Sequence, residues 1–289
     1  MLIGEKRVVI FFEKTIGFKC LKILADSLGK VGLTAVSTAK NREVFPEIDA
    51  FCRASNIAFM VEDKPNNPEF LEKIRNIKPE LAFAVSYSKI FKEGIIGLFP
   101  KGIVNFHPAL LPRQGGCFPT MWSIIEGDKV AGYTMHKIDT GIDTGAILAQ
   151  IEVPIAADDT GESLYAKQIK AGEKLFKDNW FQALNGQIEA RPQPGGGCYH
   201  KKELPFGGYV PWDKDLAFIK RTIRAFSNSA FPGILAKTDS GVIEVLGVEP
   251  TDEVEIETIG ELVHKDAKFF GRCADAVVRI SYRTPKPVS

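Results

Sequence analysis

The stretch Gly102-Ile103-Val104-Asn105-Phe106-His107-Pro108-Ala109-Leu110-Leu111-Pro112 organises the chain. Ile103 to Phe106 read as a short buried strand that runs into a loop stiffened by Pro108 and Pro112. Side chains alternate along a strand, so Asn105 and His107 point to one face. Burying an amide and an imidazole together is costly unless both find partners. A second stretch, Asp139-Thr140-Gly141-Ile142-Asp143-Thr144-Gly145, follows the strand-like Tyr133-Thr134-Met135-His136-Lys137-Ile138 and places two carboxylates and two glycines in a loop. Asn105, His107 and Asp143 are expected to meet and to catalyse one reaction.

Moving outward, Val8–Phe12, Leu33–Thr38, Ile57–Val61 and Leu81–Ser86 are further short apolar runs of buried-strand type. Helical spacing separates them: Phe18 to Leu28, ending near Gly29; Arg42 to Asn56, interrupted at Pro46; and Phe70 to Asn76 behind the cap signal Pro65-Asn66-Asn67-Pro68. Strands alternating with helices predict a doubly wound, mostly parallel α/β sheet with right-handed connections. Later come a helix over Pro119–Gly127, a strand over Ala146–Val153 and a helix from Asp158–Glu162 to about Ala183. Arg191-Pro192-Gln193-Pro194-Gly195-Gly196-Gly197 has the composition of a loop. The expected organisation is therefore a catalytic domain at 1–190, a linker at 191–204 and a small, mostly β domain at 205–289. That last part is read as a helix opening at Pro211-Trp212-Asp213 and running to Phe226, then β runs at Gly233–Ala236, Val242–Val248, Ile259–Val263 and Ala276–Tyr282.

With 289 residues, 45% of them hydrophobic, there is material for one large core and a smaller one. A net charge of +1 gives no bulk attraction to nucleic acid or acidic lipid. The five cysteines are scattered and form no CxxC pair, which argues against a disulfide framework or zinc site. No run approaches the ~20 apolar residues of a membrane span, and the apolar run at Val8–Phe12 is too short for a signal peptide's core. A cytoplasmic location is expected.

Several chemistries can be weighed. The turn after the first strand, Glu13-Lys14-Thr15-Ile16-Gly17, does not fit GxGxxG, and no GxxxxGK[ST] occurs. His107, His136, His200 and His264 form no HxH or HExxH pattern, so no metal is expected. Cys117, in the loop Gly115-Gly116-Cys117, reads either as a nucleophile or as a small apolar residue of a substrate loop. Acid–base catalysis of group transfer remains: a histidine near neutrality takes a proton, a carboxylate stabilises its charged form, and an Asn amide stabilises an oxyanion. Asp139 reads either as a site residue or as a turn cap, and Gly141 and Gly145 as positions of positive φ or close approach.

Asn105-Phe106-His107-Pro108-Ala109-Leu110-Leu111-Pro112 resembles the N-x-H-x-S-L-L-P signature of folate-dependent formyltransferases, with Ala109 in place of the usual Ser. Gly132-Tyr133-Thr134-Met135-His136-Lys137-Ile138-Asp139 and Ile142-Asp143-Thr144-Gly145 resemble that family's G-x-T-x-H-x-x-D…x-D-x-G. The resemblance implies an Asn–His–Asp set at Asn105, His107 and Asp143, no metal, and N10-formyltetrahydrofolate as donor. It implies that the pteridine lies beside Tyr87, Ser88 and Ile90 and beside Asp139 and Thr140 of the later loop. Tyr199-His200-Lys201-Lys202 and Pro211-Trp212 resemble the start of the second domain of methionyl-tRNA and sugar formyltransferases. The tRNA enzymes carry R-G after the LLP motif, where this chain has Arg113-Gln114-Gly115-Gly116, and residues 205–289 hold 11 Lys+Arg against 12 Asp+Glu. Both departures favour a nucleotide-linked amino sugar as acceptor, such as a dTDP- or GDP-4-amino-4,6-dideoxyhexose for surface polysaccharide, met by Gly115, Gly116, Cys117 and Trp122. A homodimer without nucleic-acid or membrane partners is implied; methionyl-tRNA formylation is the alternative.

Overall fold

The computed structural model describes residues 6–28, 32–40, 45–229 and 232–285. In chain order the elements are β1 (Val8–Phe12), α1 (Lys14–Leu28), β2 (Leu33–Ser37), α2 (Phe45–Ala54), β3 (Ala58–Val61), α3 (Pro68–Ile77), β4 (Leu81–Val85), α4 (Glu93–Ile96) and β5 (Ile103–His107). They continue with β6 (Gly115–Gly116), α5 (Pro119–Ile125), β7 (Val130–Lys137), β8 (Ile147–Pro154), α6 (Gly161–Leu184), β9 (Tyr199–His200), α7 (Leu216–Phe226), β10 (Leu235–Thr238), β11 (Gly241–Pro250), β12 (Leu262–Lys265), β13 (Lys268–Arg272) and β14 (Val277–Arg283). The expected helix end at Gly29 and helix start at Arg42 lie outside the described residues.

The chain forms two compact units. One comprises Met1–Gly115, Gly132–Val153 and Gln168–Cys198; the other comprises Gly116–Ala131, Pro154–Lys167 and Tyr199–Ser289.

The first unit is built on a seven-stranded sheet in the order β3-β2-β1-β4-β5-β7-β8. Strands β3 to β5 pair in parallel, and β7 is antiparallel to β5. Both faces are covered, so β1, β2 and β4 are buried at every position; β1 and β4 are continuous apolar runs, and β2 carries the buried hydroxyls of Thr34 and Ser37. Alternation sorts their side chains. Val8, Ile10 and Phe12 join Phe83, Val104, Phe106 and Met135 in one core with residues of α1, α2 and α6. Val9 and Phe11 join Ala82, Ala84 and Ile103 in the other, under Phe70 and Ile74 of α3 and Ile95 of α4. Asn67 caps α3 by accepting from Phe70 N at 2.7 Å, as the Asn-Pro signal predicts. Strand order reverses between β1 and β4, so the carboxyl ends of β1, β4 and β5 form the rim where open α/β sheets take ligands.

The second unit contains α5, α7 and an antiparallel sheet in the order β10-β11-β14-β13-β12. α7 starts at Leu216 rather than Pro211 because the Asp215 carboxylate accepts from Phe218 N at 2.7 Å and fixes the cap there. Strand β13 was not among the expected runs. The fold is thus α/β with a parallel-rich sheet and a separate antiparallel C-terminal sheet.

Candidate active site

The site forms where β5 ends beside β7. Asn105 lies opposite His136 in the ladder and His107 opposite Thr134. Cross-strand partners share a face, so all four side chains lie on the side that carries Ile103 lower down. Phe106 and Met135 point the other way, into the larger core. A strand that is apolar on one face throughout, but turns polar on the other at its last two turns of the pleat, is how buried polar groups come to sit at the rim.

Asp143 reaches this face from the loop after β7. Its Oδ2 stands 3.5 Å from His107 Nδ1, and its Oδ1 accepts from Asn105 Nδ2 at 3.3 Å and stands 3.5 Å from His136 Nε2. Asn105, His107 and Asp143 are therefore brought together, and His136 joins them.

Hydrogen-bond partners assign the tautomers. His107 Nε2 meets the Gln114 carbonyl at 2.8 Å, and a carbonyl only accepts, so Nε2 carries the hydrogen and Nδ1 offers its lone pair toward Asp143. His136 Nδ1 donates to the Lys137 carbonyl at 2.8 Å, which leaves Nε2 to accept from Asn105 Nδ2 at 3.0 Å. Asn105 Nδ2 thus meets two acceptors, His136 Nε2 and Asp143 Oδ1. The His107 ring is 6% exposed, and burial is the largest influence on its pKa, which is lowered; the Asp143 charge and the Gln114 carbonyl oppose that shift. The arrangement is a proton acceptor: a proton landing on Nδ1 creates an imidazolium facing a carboxylate.

The loop 108–114 is held by the buried Thr134 and Gln168 and by the exposed Gln150. Thr134 Oγ1 donates to the Ala109 carbonyl at 2.6 Å and accepts from Leu111 N at 3.1 Å and Gln150 Nε2 at 3.0 Å. Gln150 also donates to the Leu111 carbonyl, and Gln168 to the Pro108 and Gly132 carbonyls. The loop with Asp143 closes on itself: Asp139 Oδ1 accepts from Gly141 N at 3.0 Å and Thr144 Oγ1 at 2.7 Å, which is the turn-cap reading of Asp139. Gly145 lies against the Lys137 carbonyl oxygen with no room for a Cβ. The residue of positive φ in this loop is Asp143 itself, at 56°.

The expected donor-binding residues follow β4 and β7. Tyr87 stacks on Phe91 with ring centroids 5.3 Å apart and donates to the Glu62 carbonyl at 3.1 Å; burial pushes its phenol pKa up. Ser88 is tied by its hydroxyl (2.7 Å) and its N–H (3.2 Å) to Glu13 Oε1, which also accepts from Thr38 Oγ1. Ile90 is 65% exposed, and Thr140 is exposed. Of the expected acceptor-binding residues, Gly115 belongs to the first unit, where its N–H donates to the Cys198 carbonyl at 3.0 Å. Gly116, Cys117 and Trp122 belong to the second unit. There Cys117 N donates to the His200 carbonyl at 2.9 Å, and the Trp122 ring stacks on the His200 ring at 4.3 Å.

Sequence reasoning overlooked His136, Gln114, Glu13 and Gln193. His136 was accessible from alternation, since Thr134 and His136 share a face as Asn105 and His107 do. Glu13 carries no such signal; a charged residue after an apolar run reads as a strand end. Among the described residues no cluster of three or more His, Cys, Asp or Glu is arranged to hold a metal, and no helix is long and apolar enough to cross a membrane.

Residues 34–179 match the family model described as formyl transferase. The chain belongs to that family, and it is a formyltransferase. It is 30% identical over 230 residues to the GDP-perosamine N-formyltransferase of Brucella melitensis, covering 80% of this chain and 88% of that one. It is 28% identical over 239 residues to the methionyl-tRNA formyltransferase of Ruminiclostridium cellulolyticum, covering 81% and 76%. In fold it is similar to the N-formyltransferase from Helicobacter canadensis, solved with folinic acid and dTDP-3-aminofucose, at TM-score 0.73 and 21% identity over 96% of this chain and 99% of that one.

Proposed function

We propose that this formyltransferase moves a formyl group from N10-formyltetrahydrofolate to the amine of a nucleotide-linked amino sugar. The carrying observation is the His107 Nδ1 lone pair facing the Asp143 carboxylate at 3.5 Å with Asn105 alongside, inside the stretch that matches the family. The acceptor amine attacks the formyl carbon. Its proton passes to His107 Nδ1, and the imidazolium is stabilised by Asp143. The carbonyl oxygen becomes an oxyanion stabilised by the imidazolium and by an Asn105 N–H; the 3.3 Å bond to Asp143 is the longer of that amide's two and the one it gives up. Collapse expels N10 of the folate, which takes the proton back from His107. Donor contacts are assigned to Tyr87, Ser88 and Ile90 and to the loop with Asp139 and Thr140. Acceptor contacts are assigned to Gly115, Gly116, Cys117 and Trp122.

The sugar acceptor is favoured over charged tRNA by charge. Residues 205–289 have 11 Lys+Arg and 12 Asp+Glu, a net of −1, where a tRNA-binding surface needs an excess of cations. Within the run Asp252–Glu257, Glu253 is paired to Lys268 and Arg279, whereas Asp252, Glu255 and Glu257 are exposed. The similarity to methionyl-tRNA formyltransferases keeps the second reading in play. Both are tested by incubating the protein with formyl donor and either a panel of nucleotide-linked 3- and 4-amino sugars or charged initiator tRNA. A formyl-sized mass gain on a sugar nucleotide supports the first reading. Gain only on the tRNA, steeply suppressed by salt, supports the second.

A further inference from the structure

We infer that Gln193 is a positioning residue for Asp143, and that the segment Arg191–Cys198 straps both polar loops of the site into place. Arg191 exchanges both backbone bonds with Ile147, at 2.7 and 2.8 Å. Gln193 Nε2 then donates to the Asp143 carbonyl at 2.6 Å and to the Gly145 carbonyl at 2.8 Å. Five residues on, Cys198 Sγ accepts from Gln114 N at 3.0 Å, and Gln114 is the residue whose carbonyl fixes the His107 tautomer. One segment therefore touches the backbone on both sides of the His107–Asp143 pair.

The strap is prepared by its own sequence. Pro192 and Pro194 flank Gln193, and each holds the residue before it in extended conformation. The backbone that carries the Gln193 side chain is thus restricted before the loop is gripped. The loop it grips needs holding. Asp143 sits at φ 56°, a conformation that is strained for a non-glycine residue and persists where the surroundings impose it. A primary amide is the side chain suited to the task, because its nitrogen carries two N–H groups and can donate to two carbonyls at once.

The inference rests on the catalytic reading of Asp143, so the test separates the two. Formyl transfer is measured for wild type, Q193M, D143N and the double variant. Q193M is expected to lower kcat by about tenfold to a hundredfold, the cost of a catalytic group displaced by a fraction of an ångström to an ångström, with acceptor KM and Tm little changed. In the D143N background, Q193M is expected to change kcat by less than about twofold, because it acts only through Asp143. D143N crippled with Q193M unimpaired, or the two losses multiplying, overturns the role of Gln193 alone. D143N at wild-type turnover overturns the functional reading and the role together. Q193E supplies a second readout if Q193M does not fold. Its carboxylate would face two carbonyl oxygens, and its protonated form regains one donor, so its activity relative to wild type rises as pH falls from about 8 to about 6. A flat ratio overturns the inference.

Discussion

His107 Nδ1 and Asp143 Oδ2 face each other at 3.5 Å, and the hydrogen of the neutral His107 ring is not between them, because the Gln114 carbonyl holds it on Nε2. Two acceptors in opposition form a trap for one proton. The trap is strongest when the proton arrives with the reaction, since the imidazolium then gains the carboxylate without either group having been solvated by bulk water first. Replacing either partner removes the trap. His107→Asn and Asp143→Asn are each expected to lower kcat by at least about a hundredfold, with Tm near wild type, as read by a formylation assay beside a melting curve. Retained turnover in either variant would assign the proton to another group.

The pH profile should carry the same signature. Burial lowers the His107 pKa more than Asp143 and Gln114 raise it, so the neutral, base-competent ring persists to lower pH than an ordinary histidine's. The acid limb of kcat/KM is expected below the usual histidine value of about 6.5. Asp143→Asn, which deletes a raising influence, should move that limb of the residual activity lower still. The stability sign is fixed as well. A folded pKa below the unfolded one means the unfolded chain binds the proton better, so His107 costs stability as pH falls below about 6.5. Urea titrations of wild type and His107→Asn, compared at about pH 7 and pH 5, should show the wild type losing more.

How much of this was legible in the chain follows from the range of each signal. Strands β1 and β4 were readable because burial on both faces turns each into a short continuous apolar run, the partly exposed edge strand β3 was readable from its apolar composition alone, and the Asn-x-His spacing was readable because strand alternation is local. Asp143 was singled out as a carboxylate of the Gly-bearing loop after β7 and again by the motif resemblance; its distance to His107 came from the fold. Strand β13 escaped because its hairpin turns at Asp266-Ala267, both at positive φ, without the glycine that marks such turns. Gln193 escaped for a similar reason. Pro-Gln-Pro followed by three glycines has linker composition, and composition does not register that one side chain in it bridges two carbonyls 50 and 48 residues earlier.

His136 gives a prediction that separates orientation from proton transfer. Its Nε2 accepts from Asn105 at 3.0 Å and holds the amide plane against β7. Phenylalanine at 136 preserves the ring's bulk in a position only 2% exposed but leaves that N–H without its acceptor. Loss of one such bond is worth on the order of 1 kcal/mol, so His136→Phe is expected to cut kcat about fivefold without moving the pH limb assigned to His107. A shifted limb with unchanged kcat would make His136 a titrating partner instead.

Gly145 tests the loop from its backbone side. A methyl group there would run into the Lys137 carbonyl oxygen, which is main chain and is itself engaged by His136 Nδ1. The strand cannot yield easily, because Lys137 N is bonded to the Ala146 carbonyl at 2.9 Å and Lys137 sits opposite Val104 in the ladder. The loop must therefore give, and Asp143, two residues earlier, moves with it. Gly145→Ala is expected to reduce kcat by about a hundredfold, since an ångström of misplacement at a reacting group costs that much. Gly247→Ala, where a Cβ meets only Ser281 Cβ at an ordinary contact distance of 3.9 Å, serves as the matched control and should leave turnover unchanged. Equal activity of the two variants would show that the Asp143 loop has enough slack to absorb the clash, and that the close approach at Gly145 does not set the geometry of the pair.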